Sequence, residues 1–226
     1  MTDELLSAIE IDTGPDPDAC VIWMHGLGDD GRGWSEVVPT LGLPATARIR
    51  FLFPHAPVMA VSINQGFRMR AWYDVRAANI TERADIEGVR RSQVQVAALM
   101  AREAGRGIAA ARTVLAGFSQ GGAVALFAGL RQPEPLAGIV ALSTYLIGET
   151  LLDTEAGAAN RAVPIFMAHG TRDPVVQYAW GEASRRALEA RGYRVEWHSY
   201  PMEHSAVMEE IAAVGAFLAR VLPARG

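Results

Sequence analysis

The sequence contains no lysine: its 21 basic residues are all arginine, scattered without a polybasic run and outnumbered by 25 acidic residues, for a formal net charge of -4. A nucleic-acid binder is expected to concentrate basic charge on one surface, so that class is disfavoured and the arginines read as solvated surface. Cysteine is nearly absent as well. Cys20 stands alone, which rules out a disulfide within the chain, and its place at the start of an apolar run marks it as a small core residue. No apolar stretch approaches the length of a membrane helix. Met1 to Asp12 is acidic and lacks the basic start and continuous apolar core of a secretory signal, so cytoplasmic residence without an integral membrane segment is the expectation.

What is present is the balance of a folded, water-soluble protein, with half of its 226 residues hydrophobic and a fifth charged. That length fits one domain over residues 1–226, and neither an internal repeat nor a domain-separating linker is visible. Short apolar runs rich in Val, Ile and Phe alternate with helical patterns. This rhythm predicts an α/β fold, a mostly parallel central sheet with helices on both faces. The candidate strands are Cys20 to Met24, Ile49 to Phe53, Thr113 to Gly117, Ala137 to Leu142, Val163 to Ala168 and Val195 to Tyr200. Helical spacing links Ile86, Val89, Val96 and Met100, with Asp85 placed to cap them, and links Val207, Ile211, Val214 and Leu218. Ala123 to Leu130 and Val176 to Ala190 suggest two more helices, and Gly148 to Arg161 is the longest loop-like stretch. Pro54 to Trp72 carries Val58, Met59, Val61, Phe67, Met69 and Trp72 without a clear period. An apolar segment that is neither strand nor helix is a candidate wall for a binding groove, with Trp72 on one side and Leu146 opposite.

Gly117-Phe118-Ser119-Gln120-Gly121 fits G-x-S-x-G, the tight strand-to-helix turn that exposes a serine hydroxyl at the C-terminal edge of a sheet. The expected apolar strand precedes it and an Ala-rich helix follows. A serine hydroxyl needs a base within hydrogen-bond reach and an acid to orient that base. Asp173 follows the Val163 to Ala168 strand and His204 follows the Val195 to Tyr200 strand, so both fall past C-terminal strand ends in the order Ser, acid, His. His25-Gly26-Leu27-Gly28-Asp29, after the Cys20 to Met24 strand, can aim backbone N–H groups at a developing oxyanion, and the amides of Leu27 and Gln120 are the best donors. Donation from the main chain predicts that side-chain changes such as Gln120→Ala do far less harm than changes that redirect the backbone, such as Gly28→Val or Gly26→Val. His25 and His169 read as structural histidines, while His55 and His198 have no evident partner. None of the five histidines pairs with another His or Cys at ligand spacing, so metal catalysis has little support.

These segments resemble the phospholipase/carboxylesterase family that includes the acyl-protein thioesterases. The resemblance is carried by His25 to Asp29, Phe53-Pro54-His55-Ala56-Pro57, Ala71-Trp72-Tyr73-Asp74, Gly117 to Gly122, His169 to Val176 and Met202-Glu203-His204-Ser205, from Cys20 to the last helix. It implies the α/β-hydrolase fold, Ser119 as nucleophile with Asp173 and His204 as partners, Leu27 and Gln120 as oxyanion donors, and no cofactor. The expected activity is hydrolysis of carboxylic esters of short-to-medium acyl chains, with acyl-protein or acyl-CoA thioesters and lysophospholipids as the alternative substrates. A non-catalytic binding module is disfavoured by the intact triad and glycines, and a dienelactone-hydrolase-like enzyme by the absence of Cys at position 119. Glu203 and Thr144 stand where the family often has Gly, both near the expected groove. Ser205 is expected to begin the final helix, whose positive end would disfavour a charged His204.

Overall fold

The computed structural model describes residues 5–77 and 85–224; the acidic start at Met1 to Glu4 lies outside them. Among the described residues nine strands form in chain order: β1 (Ala8–Asp12), β2 (Ala19–Met24), β3 (Ile49–Pro54), β4 (Val58–Val61), β5 (Phe67–Arg70), β6 (Thr113–Phe118), β7 (Gly138–Leu142), β8 (Ile165–Gly170) and β9 (Val195–Tyr200). Seven of them build one sheet in the order β1-β3-β2-β6-β7-β8-β9. All neighbours run parallel except β1, which pairs antiparallel with β3 at the edge. The α-helices of the described residues are α1 (Arg32–Ser35), α2 (Ile86–Gly105), α3 (Gln120–Gly129), α4 (Leu152–Glu155), α5 (Tyr178–Ala190) and α6 (Met208–Val221).

The two-residue period of an extended chain sorts the central strands onto two cores. On β2, Cys20, Ile22 and Met24 face one core with Val89, Val96 and Leu99 of α2, residues of α3, and Leu188 of α5. Val21 and Trp23 face the other, with Trp34 of α1 and Ile211, Val214, Phe217 and Leu218 of α6. Helices therefore cover both faces, as predicted. Helix α3 is buried on every side, which explains why its sequence is apolar all round rather than striped. Asp85 does stand at the N-cap position of α2, but its side chain makes no capping bond and instead accepts from Arg76 at 2.8 Å.

Three expectations are corrected. The Pro54 to Trp72 segment contains a β-hairpin, β4 antiparallel to β5, rather than structureless chain. Its turn uses Gln65 (φ 55°) and Gly66 (φ 80°), and it leaves Phe67 and Val58 exposed instead of burying them in a groove wall. The final helix starts at Met208, not Ser205, so His204 is not adjacent to a helix N-terminus and the proposed dipole effect falls away. The Gly148 to Arg161 stretch is made of short helical turns, among them α4.

Candidate active site

Strand β6 ends at the centre of the sheet, and the chain reverses there into α3 within one residue. Ser119 occupies that corner at φ 54°, ψ -118°, a conformation that side-chain-bearing residues rarely adopt. The turn closes only because its flanking residues lack a β-carbon. One placed on Gly117 would sit 2.3 Å from the carbonyl of Gly121, and one on Gly121 would sit 2.2 Å from the carbonyl oxygen of Met24. Strain at Ser119 is held by two main-chain bonds, from its own N–H to the Leu142 carbonyl (2.8 Å) and from the Ala123 N–H to its carbonyl (3.1 Å).

Asp173 and His204 arrive on loops after adjacent parallel strands, β8 and β9, and those loops are laced together. Thr171 N–H donates to Tyr200 O at 2.8 Å and Arg172 N–H to Met202 O at 3.1 Å. The lacing places His204 Nδ1 2.6 Å from Asp173 Oδ2 and His204 Nε2 2.9 Å from Ser119 Oγ. Asp173 Oδ1 accepts from the amides of Val175 (2.8 Å) and Val176 (2.9 Å). Burial by itself would raise the Asp173 pKa. The His169 ring, with Nε2 3.5 Å from Oδ2, and hydrogen bonds from His204 and the Val176 amide more than offset it and hold the carboxyl well below the usual carboxylate range. A fixed carboxylate on Nδ1 keeps that nitrogen protonated and leaves Nε2 free to accept the serine proton, the arrangement of a nucleophile, base and orienting acid.

Leu27 and Gln120 line the same cavity as Ser119, and their amides are the candidate oxyanion donors. Neither amide has a protein acceptor among the described residues, which suits them to an oxyanion. The Leu27 turn is pinned from behind. Gly28, at φ 80°, donates to Arg70 O at the end of the hairpin (2.9 Å). His25 bonds Gly26 O through Nδ1 at 2.7 Å and accepts the Ala56 N–H on Nε2 at 3.1 Å, a structural role consistent with a pKa lowered chiefly by burial. His169 likewise bonds the Val176 carbonyl at 2.8 Å. The two histidines without predicted partners have them: His55 Nδ1 accepts from Gly31 N–H, and His198 pairs with Glu196.

A cavity of about 430 Å³ opens on Ser119 and His204, with Tyr73, Val75, Tyr145 and Val175 among its lining residues. Trp72 and Leu146, the expected groove walls, do not line it. Trp72 is buried, donating from its indole to His25 O (2.9 Å) and from its amide to Gln120 Oε1 (2.9 Å). Leu146 is buried with its amide on Ser184 Oγ at 2.8 Å. The wall positions pass to their chain neighbours, Tyr73 and Tyr145, whose hydroxyls meet at 3.0 Å.

This architecture has relatives, and the sequence pattern of the phospholipase/carboxylesterase family matches residues 8–222. The chain belongs to that family. Acyl-protein thioesterase 1 of Gibberella zeae is 41% identical over 214 residues, 91% of either chain. That of Neurospora crassa is 42% identical over 217 residues, 91% of this chain and 87% of its own. Among solved structures, acyl-protein thioesterase 2 of Zea mays superposes with a TM-score of 0.84 at 31% identity, covering 96% of this chain and 99% of its own. The protein is therefore a hydrolase with the α/β-hydrolase fold. Its two departures from the family pattern fall away from the cavity lining. Thr144 is buried and its hydroxyl donates to the Ser119 carbonyl at 2.6 Å, adding a third bond to the strained turn. Glu203 is exposed, and its carbonyl accepts the Ser205 N–H at 2.9 Å.

The Gln120 side chain has a structural role that the sequence did not indicate. Besides accepting from Trp72 N–H, its Nε2 donates to Tyr73 O at 2.7 Å, so it ties the cavity wall to the first turn of α3. Gln120→Ala is expected to strand both buried groups and lower stability by about 1–3 kcal/mol for each, with a comparatively modest effect on kcat. Gly28→Val, which forces a β-branched residue to a positive φ and redirects the Leu27 turn, is expected to lower kcat about a hundredfold. Denaturant midpoints and steady-state kinetics separate the two; similar kcat losses would shift oxyanion binding from the backbone to the Gln120 side chain.

Proposed function

We propose that the protein hydrolyses acyl esters and thioesters through an acyl-serine intermediate on Ser119. The observation that carries this reading is the unbroken relay from Asp173 through His204 to Ser119, at 2.6 and 2.9 Å, in a cavity that Leu27 and Gln120 also line. In the first half-reaction Ser119 Oγ bonds the substrate carbonyl carbon while its proton passes to His204 Nε2. The carbonyl oxygen becomes an oxyanion held by the Leu27 and Gln120 amides. Collapse of that adduct breaks the bond to the alcohol or thiol, which leaves with the proton from Nε2. Water then repeats the sequence, releasing the acid and restoring the serine.

Acyl chains of short to medium length suit a cavity of about 430 Å³ whose wall includes Val75, Tyr145 and Val175. Thioesters on acylated proteins are the second reading, favoured by relatives that bear the name acyl-protein thioesterase. Each acyl methylene covered by the wall is expected to improve kcat/KM by up to ~0.8 kcal/mol in transition-state binding until the chain outgrows it. A matched series of esters and thioesters from acetyl upward tests this in the parent and in Tyr145→Ala and Val75→Ala. A chain-length profile unchanged in both variants would place the acyl chain elsewhere, and activity confined to one leaving-atom class would decide between esters and thioesters.

A further inference from the structure

A second depression adjoins the first. It is an open trough of about 750 Å³ between α1 and the start of α6, and it shares Gly33, Trp34 and Ala206 with the cavity over Ser119. Beyond that shared rim its apolar lining includes Val37, Met208 and Ile211, flanked by two carboxylates, Glu36 and Glu209. Among the described residues no arginine lines it; Arg32, the nearest in sequence, is outside the lining. Met208 is 59% exposed, a large apolar side chain left uncovered at the far side.

Stereochemistry indicates what enters it. The tetrahedral carbon formed on Ser119 Oγ carries three other substituents: the oxyanion, the acyl chain and the leaving atom. The oxyanion faces the Leu27 and Gln120 amides, and the leaving atom must lie within reach of His204 Nε2, which protonates it. The His204 ring packs on Phe118 (centroids 4.7 Å apart) and Phe118 on Trp34 (5.1 Å), so the rim between cavity and trough is on the His204 side. Tyr73 and Tyr145, joined at 3.0 Å, remain for the acyl chain. A leaving group extending from His204 therefore passes over Trp34 and Ala206.

Building on the hydrolase reading above, we infer that this trough is the leaving-group subsite, and that it takes a peptide bearing the acylated cysteine next to basic and apolar residues. Carboxylates beside an apolar floor with no arginine favour lysine or arginine side chains, whose stems pack on apolar surface while the charge reaches the rim. A phosphate-containing head group would meet like charge there.

The test uses octanoyl-cysteine peptides flanked by two lysines, two glutamates or two glutamines, with methyl octanoate as a substrate too small to reach the trough. The parent is expected to prefer the lysine peptide over the glutamate peptide by roughly tenfold in kcat/KM, about threefold for each carboxylate. Glu36→Gln combined with Glu209→Gln is expected to abolish that preference. Methyl octanoate turnover and the deacylation rate of the common octanoyl-enzyme should be unchanged, because the peptide has departed before deacylation. Equal kcat/KM for all three peptides in the parent, or a charge preference that survives in the double variant, would overturn the subsite while Ser119 acylation stands. Failure of methyl octanoate and all peptides to acylate Ser119 would overturn the hydrolase reading and the subsite with it.

Discussion

Ser119→Ala is expected to lower kcat by on the order of a millionfold, the scale of losing a nucleophile that acts as one unit with its base. The fold should survive the change. The strained turn is held by main-chain bonds to Leu142 and Ala123 and by the Thr144 hydroxyl on the Ser119 carbonyl, none of which involves Oγ. Only the 2.9 Å contact with His204 is lost. Thermal unfolding of the variant should therefore resemble the parent while turnover disappears. An alanine variant that still turns over at a substantial rate would remove Ser119 from the chemistry.

Asp173→Asn is expected to lower kcat roughly ten-thousandfold at neutral pH, because of where its two oxygens sit. Oδ1 is occupied by the Val175 and Val176 amides, which only an acceptor can satisfy. The asparagine amide nitrogen must then face His204 Nδ1. A donor there favours the imidazole tautomer with its proton on Nε2, which cannot accept the proton of Ser119. The Asp173 carboxyl is held well below the usual carboxylate range, so it stays ionised across the neutral range and into mild acid. Stability depends on the same shift. A carboxyl whose folded pKa is depressed stabilises the fold above its unfolded pKa, and that contribution is lost as pH falls through the folded value. Asp173→Asn should accordingly flatten the acid side of the stability profile. Near-parental turnover in Asp173→Asn would remove Asp173 from the mechanism.

The central strands were legible because burial on both faces writes itself as continuous Val, Ile and Phe, and β9 could be read end to end despite its half-buried face. Strand β1 was not, since Ala8 to Asp12 is a short, half-exposed edge with no apolar run to announce it. The hairpin escaped for a related reason. β4 and β5 pair only with each other, outside the main sheet, so no second core enforces an alternating pattern. Ser119, Asp173 and His204, which the structure brings within hydrogen-bond distance, could be read as a set because the proposed triad chemistry constrains residue type and chain order together. The cavity wall was misjudged by one residue on each side, Trp72 for Tyr73 and Leu146 for Tyr145. Outside regular structure no period states which way a side chain points, and an apolar residue reads the same whether it faces a ligand or a core. The roles of Gln120 and Thr144 depend on carbonyls and amides brought close by folding, at Tyr73, Trp72 and Ser119, and no local signal encodes those distances.

The central claim is that Ser119 becomes covalently acylated, and fluorophosphonate labelling followed by peptide mapping tests it most directly. A single adduct on the Ser119 peptide is predicted, absent in Ser119→Ala and strongly slowed in His204→Ala. An adduct on any other serine, or labelling that persists unchanged in Ser119→Ala, would contradict it.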